Sequence, residues 1–174
     1  MELVSFEQLS AILGLSKTES DYVDLEIIKE SVVAMFEDYT HRKFDEDSYS
    51  ESVYTGPINT AMVQLDAIPI KNVSSVLIDD IETTAYRIMP YGIELLSKVT
   101  DAKIDISYVG GIETVPGNLN RAALLQTVYE YQNKNSIGIE VVSTEGGSVV
   151  KPELGMLKEV KSLLNSLIHP FPRF

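Results

Sequence analysis

The chain has 174 residues, 44% of them hydrophobic, a length and composition suited to a single domain with one sizeable core. With no cysteine, disulfides and thiolate metal sites are excluded, and a formal charge of −12 argues against a surface that gathers phosphate. The first residues show no basic segment leading into an apolar stretch, and no apolar run approaches the roughly 20 residues of a spanning helix. A soluble protein made in the cytoplasm, without membrane association, is the expectation. The acidity is uneven, since residues 1–50 hold 12 acidic and 4 basic side chains.

In chain order, Ser5-Phe6-Glu7-Gln8 reads as a capping box that opens a short helix to about Leu13, ended by Gly14. Leu25, Ile28, Val32, Met35 and Tyr39 then recur at spacings of three and four, which predicts one apolar face of a long helix over 20–42. Asp21 and Asp24 suit the start of its dipole, and Arg42 and Lys43 its end. From Ser50 to Gly110 the texture becomes short β-like runs: Ser52–Tyr54, Met62–Leu65, Val73–Ile78, Ala85–Met89, Ile93–Leu96 and Lys103–Val109. Asp79-Asp80 reads as the turn of a hairpin joining Val76 and Ile78 to Tyr86 and Ile88. Gly110-Gly111 and Pro116-Gly117 break the chain, and Asn118 is placed to cap a third helix over about 118–133.

Apolar residues Ala122, Ala123, Leu124, Leu125, Val128, Tyr129 and Tyr131 surround that helix on most sides. Such a helix is either central to the core or shared with a neighbouring subunit. The polar, Gly-rich stretch 133–150, with Ile139 and Val141 inside it, reads as a loop or extended β-arm. A last helix is expected from Pro152 to about Ile168, with Leu157, Val160, Leu164 and Leu167 on one face and Pro170 and Pro172 beyond it. The fold class is therefore α+β: a small bundle of about four helices with an antiparallel β-sheet inserted between the second and third. The whole chain 1–174 is read as one domain, made of N-terminal helices (1–49), the β insertion (50–110) and C-terminal helices (118–174).

No catalytic constellation is visible, and neither a cofactor nor an enzymatic activity is expected. Only His41 and His169 could serve as a base, and a helix end and a proline-flanked terminus suit them better as cap or surface residues. No histidine pair has zinc-ligand spacing. Asp45-Glu46-Asp47 lacks the Gly and distal Glu of a calcium loop, and Asp79-Asp80 falls in a turn. Gly110-Gly111 and Gly146-Gly147 lack the Lys-Ser/Thr of a phosphate cradle.

The order of segments resembles the head-to-tail connector family of long-tailed phages, the adaptor or head-completion proteins beneath the portal. Four stretches carry the likeness. The acidic long helix ends Phe36-Glu37-Asp38-Tyr39-Thr40-His41-Arg42, similar to an aromatic-Thr-Gly-Arg corner in which His41 stands for the usual Gly. Leu65-Asp66-Ala67-Ile68-Pro69-Ile70 leads into Val73-Ser74-Ser75-Val76. Ile106-Ser107-Tyr108-Val109-Gly110-Gly111 leads to Val115-Pro116, Leu119 and Ala122, and a closing helix carries a short aromatic and basic tail.

The resemblance implies a virion protein at the head–tail interface, a ring of typically twelve subunits docked on the portal protein. Such a ring receives a tail-side stopper or tail-completion protein and lets genomic DNA pass without sequence-specific binding. Interface contacts are expected at Tyr129 and Tyr131, at Ile139 and Val141 in the arm, and at Phe171, Arg173 and Phe174 in the tail. Two rival readings are an acidic regulator that mimics DNA against a basic partner and a metal-dependent hydrolase. The first would need carboxylates arrayed on one exposed face; the second would need a convergent ligand set.

Overall fold

The computed structural model describes residues 2–15, 19–57, 60–134 and 155–168. The fold is α+β, with four α-helices among the described residues and, between the second and third of them in sequence, a block of antiparallel strands. The chain folds into two compact units, one helical (Glu2–Thr40 and Val115–Ile168) and one of strands (His41–Thr114).

In the helical unit, α1 (Phe6–Leu13) begins with the capping box read from the sequence. The Gln8 N–H donates to Ser5 Oγ, and the Ser5 N–H donates to Gln8 Oε1. Gly14 closes the helix at φ 67°, a left-handed conformation that glycine adopts without a Cβ clash.

Helix α2 (Glu19–Thr40) buries Leu25, Lys29, Val32, Phe36 and Thr40. This stripe is rotated from the anticipated one: Leu25 and Val32 lie at its centre, while Ile28, Met35 and Tyr39 are only half-buried. The shift arises because a lysine shares the buried face. Lys29 is 9% exposed, its ammonium held at 2.8 Å by both Glu2 and Glu26, so a charge sits where the apolar periodicity has a gap.

Helix α3 (Gly117–Asn133) starts from Pro116 without a side-chain cap. Asn118 lies inside the first turn instead, where its amide donates to Ser166 Oγ at 3.0 Å. The last helix, α4 (Lys158–Leu164), is shorter than anticipated and continues as a 3₁₀ turn over Asn165–Leu167. Pro152 lies outside the described residues, and Gly155 to Leu157, with Gly155 at φ +97°, are not helical. Val160 and Leu164 are buried as the spacing required.

The β unit holds seven strands: β1 (Asp47–Tyr54), β2 (Thr60–Gln64), β3 (Ile70–Ile78), β4 (Ile81–Glu82), β5 (Tyr86–Met89), β6 (Gly92–Val99) and β7 (Lys103–Gly110). They make two sheets, ordered β1-β7-β3-β4 and β2-β6-β5, where the sequence suggested one. Val73, Val76, Ile104, Ile106 and Tyr108 of the first share a single core cluster with Val63, Ile93 and Leu95 of the second, so the sheets face each other.

Strand β1 is longer than the apolar pattern implied because its outer face is Ser48, Ser50, Ser52 and Tyr54. The Asp79-Asp80 turn does form, with both residues at positive φ (49° and 65°) as a two-residue hairpin turn requires. It joins β3 to β4, however, whereas Tyr86 and Ile88 pair with Leu95 and Ile93 of β6. Thr83 to Ala85 carry the chain out of the first sheet and into the second, ending the hairpin after two residues.

Candidate assembly surfaces

Three of the carboxylates that invited a metal reading, Glu46, Asp47 and Asp79, make local bonds. Asp79 accepts the Lys103 N–H through Oδ1 at 2.9 Å and donates its own N–H to the Lys103 carbonyl at 2.8 Å, which fixes the turn. Glu46 and Glu113 both pair with Lys71 at 2.8 Å, and the ammonium holds the Glu113 carboxyl below the usual carboxylate range. Asp47 accepts the Ser48 N–H. Among the described residues, no group of three or more His, Asp or Glu side chains is arranged to hold a metal ion, and no helix is long and apolar enough to cross a membrane. His169 lies outside the described residues.

Three of the sequence stretches that carry the family likeness meet in one corner of the β unit. His41 follows α2 at φ +54°, so a histidine takes the left-handed conformation that glycine would hold without strain. Arg42 next to it donates to the Ile68 carbonyl at 2.5 Å, with burial pulling the guanidinium below its ordinary value. The Lys43 N–H donates to the Asp66 carbonyl at 3.0 Å, the Gly111 N–H to the Pro69 carbonyl at 3.2 Å and the Ile112 N–H to the Phe44 carbonyl at 2.9 Å.

The glycine pair is required by how closely these segments approach. A Cβ at Gly110 would lie 2.0 Å from the Ala67 carbonyl oxygen, and one at Gly111, which has φ +111°, 2.0 Å from that of Asp45. Beneath them the Tyr108 hydroxyl accepts the Ala67 N–H at 3.0 Å and donates to Glu51, whose Oε1 also accepts the Asp66 N–H at 3.0 Å. Burial and the carboxylate together push the Tyr108 hydroxyl pKa far up, so it stays protonated as a donor. This corner fixes backbone; it brings no base to a nucleophile.

The anticipated interface residues fare differently. Tyr129 and Tyr131 are half-buried within the helical unit. The Tyr131 hydroxyl donates to Asp21 at 2.7 Å, and the Lys134 ammonium lies 4.0 Å above its ring while pairing with Asp24 at 2.6 Å. That cluster fastens the end of α3 to the start of α2. Ile139, Val141, Phe171, Arg173 and Phe174 lie outside the described residues.

Helix α3 buries Leu119, Ala122, Ala123, Gln126 and Thr127 and half-buries Leu124, Leu125 and Val128, so it is central to the core of its unit. Open apolar side chains in this unit include Ile12 on α1 and, next to one another on α2, Tyr22, Val23 and Ile27, which are 50%, 51% and 62% exposed. Sequence reading passed over Val23 and Ile27, although they stand one turn apart and off the core stripe. In the β unit, Met62 and Leu96 are 40% and 57% exposed. Met62 pairs with Glu94, which points away from the core between Ile93 and Leu95, and Leu96 alternates onto that same outer face.

No protein-family model matches the chain. No curated protein matches it either. Solved structures do. A chain from the neck of an empty gene transfer agent (GTA) particle, computed with C6 symmetry, aligns with a TM-score of 0.63 at 16% identity over 96% of this chain and 90% of that one. One from the neck of the native particle, computed with C12 symmetry, gives 0.57 at 15% identity over 86% and 84%. A chain of the native virion gives 0.59 at 14% identity over 91% and 86%. The fold is thus that of chains found in the neck of a phage-like particle.

Proposed function

We propose that this chain is a structural neck component of a phage-like particle: a head-to-tail connector subunit that forms a ring beneath the portal and prolongs the DNA channel. The observation that carries the reading is the likeness to GTA neck chains along nearly the whole length of both partners, helical and β units included. The symmetries of those necks favour self-assembly into a ring, of about twelve copies by the family resemblance. As a single connector domain it takes the portal protein on one side and a stopper or tail-completion protein on the other. It works in the virion at the head–tail interface, and its role is architectural rather than enzymatic.

In this reading the arm with Ile139 and Val141 and the tail with Phe171, Arg173 and Phe174 contact a neighbour or the portal, and Tyr129 and Tyr131 brace the helices beside them. The rival reading of a DNA mimic finds less support. Asp24 and Glu26 of the acidic helix α2 pair with Lys134 and Lys29, and Asp21 accepts the Tyr131 hydroxyl, so these acids do not form a free array at phosphate-like spacing.

Mixing the purified protein with a portal ring from the same particle, and imaging by negative stain, tests the proposal. A second ring of density is expected on the portal, and deletion of residues 170–174 should weaken its attachment. A bare portal, together with absence of the protein from purified particles, would overturn the assignment.

A further inference from the structure

We propose that the outer strip of α2 around Val23 and Ile27 and the outer face of the β2-β6-β5 sheet around Met62 and Leu96 are the two halves of one contact, made between successive copies of this chain. The inference rests on the ring reading above and names the surfaces that would build the ring. A closed ring of identical chains needs a heterologous contact, two different patches on each subunit that fit one another. Among the described residues, two patches of this kind stand out. Val23 and Ile27 stand one helical turn apart, about 6 Å, and present branched aliphatic side chains with Tyr22 beside them. Met62 and Leu96 lie on neighbouring strands of a sheet face, a surface onto which a helix packs readily.

Charge selects this pairing over the packing of either patch on itself. Helix α2 holds seven acidic residues and one lysine, and Lys29 is turned to the core; Asp21, Asp24 and Glu26 are bonded within the helical unit, and Glu30, exposed one turn beyond Ile27, is the acid beside the strip. Two copies of that strip would repel. The sheet face carries Arg87, 71% exposed and 4.0 Å from Glu94, and Lys98, which is exposed two residues beyond Leu96. With Glu94 answered by Arg87, Lys98 leaves the rim of the sheet patch net positive, so the strip beside Glu30 meets a patch of opposite sign, which favours the mixed contact and fixes its direction.

Because the chain has no cysteine, engineered thiols report the contact without background. Ile27→Cys and Leu96→Cys are made separately in the full chain and oxidised alone and as a mixture. The mixture is expected to give about tenfold more disulfide-linked dimer than either variant alone, the mark of a heterologous contact. The double variant should give a ladder of multimers. Glu30→Lys in the Ile27→Cys chain should lower the yield, and Arg87→Glu with Lys98→Glu in the Leu96→Cys chain should restore it.

Dimer from Ile27→Cys alone, or no 27–96 product under any condition, overturns the inference. A portal capped by a ring without that product would leave the connector reading standing and remove this contact. A 27–96 ladder without portal binding would support the contact and count against the connector reading.

Discussion

At the scale of single residues, the corner where His41, Ala67 and Gly110 meet is governed by backbone demands. A non-glycine residue in the left-handed region costs about 1–2 kcal/mol, and His41 bears that cost at φ +54° with its side chain in solvent. His41→Gly is therefore expected to stabilise by about 1 kcal/mol, somewhat offset by the freedom glycine adds to the unfolded chain. The thermal midpoint should rise by about 2–4 °C in calorimetry, and an unchanged or lower midpoint would show that the imidazole makes a compensating contact. Tyr108 illustrates the opposite case. Its hydroxyl serves the Ala67 N–H and Glu51 at once while the residue is 1% exposed. Tyr108→Phe leaves a buried N–H without a partner and should cost about 2 kcal/mol, read as a lowered urea midpoint with unchanged slope.

At the scale of elements, legibility in the sequence followed how far a segment obeys a single rule. The capping box, Gly14 and the alternating strand Lys103–Val109 were readable because local chemistry alone decides them. The face of α2 was only half readable, because Lys29 interrupts the apolar period while still being buried, and its partner Glu2 is 27 residues away. The Asp79-Asp80 turn was legible as a turn but not in its partner strand, since pairing of β5 with β6 is set by the core both sheets share. The corner of the β unit was visible only as short motifs; Glu51, which ties β1 to Tyr108 and Asp66, carries no local signature at all. The exposed strip on α2 was missed for a related reason: an apolar residue off the core stripe reads as noise until burial is known.

Lys29 itself yields a pH prediction for the helical unit. Burial lowers its pKa, but hydrogen bonds and charge from Glu2 and Glu26 outweigh that, and the folded value lies above the ordinary 10.5. A pKa raised on folding adds stability that is complete below the unfolded value and fades as pH climbs through the folded one. The wild type should thus lose stability at strongly alkaline pH beyond what a Lys29→Met variant loses. Urea unfolding followed by circular dichroism from about pH 9 to about pH 12 measures the difference, which isolates Lys29 from other groups titrating there. Parallel curves for the two proteins would mean that the ammonium contributes nothing to α2.

For the whole molecule, the deciding quantity is the charge of −12, with 26 acidic residues against 14 basic ones. Binding to duplex DNA is driven by counterions released when lysines and arginines approach the backbone. Here Lys29, Lys71, Lys103, Arg121 and Lys134 each lie within 2.9 Å of a carboxylate of the chain itself, so their charges are already answered. The proposed connector role would gain from this arrangement, because a wall that held DNA would slow its passage, whereas a repelling one leaves it free to slide. The purified protein should accordingly leave a duplex unretarded in a gel even at about 50 mM salt, where electrostatic binding is strongest. Retardation that weakens steeply with added salt would reveal a basic track and count against a DNA-repelling surface on this chain.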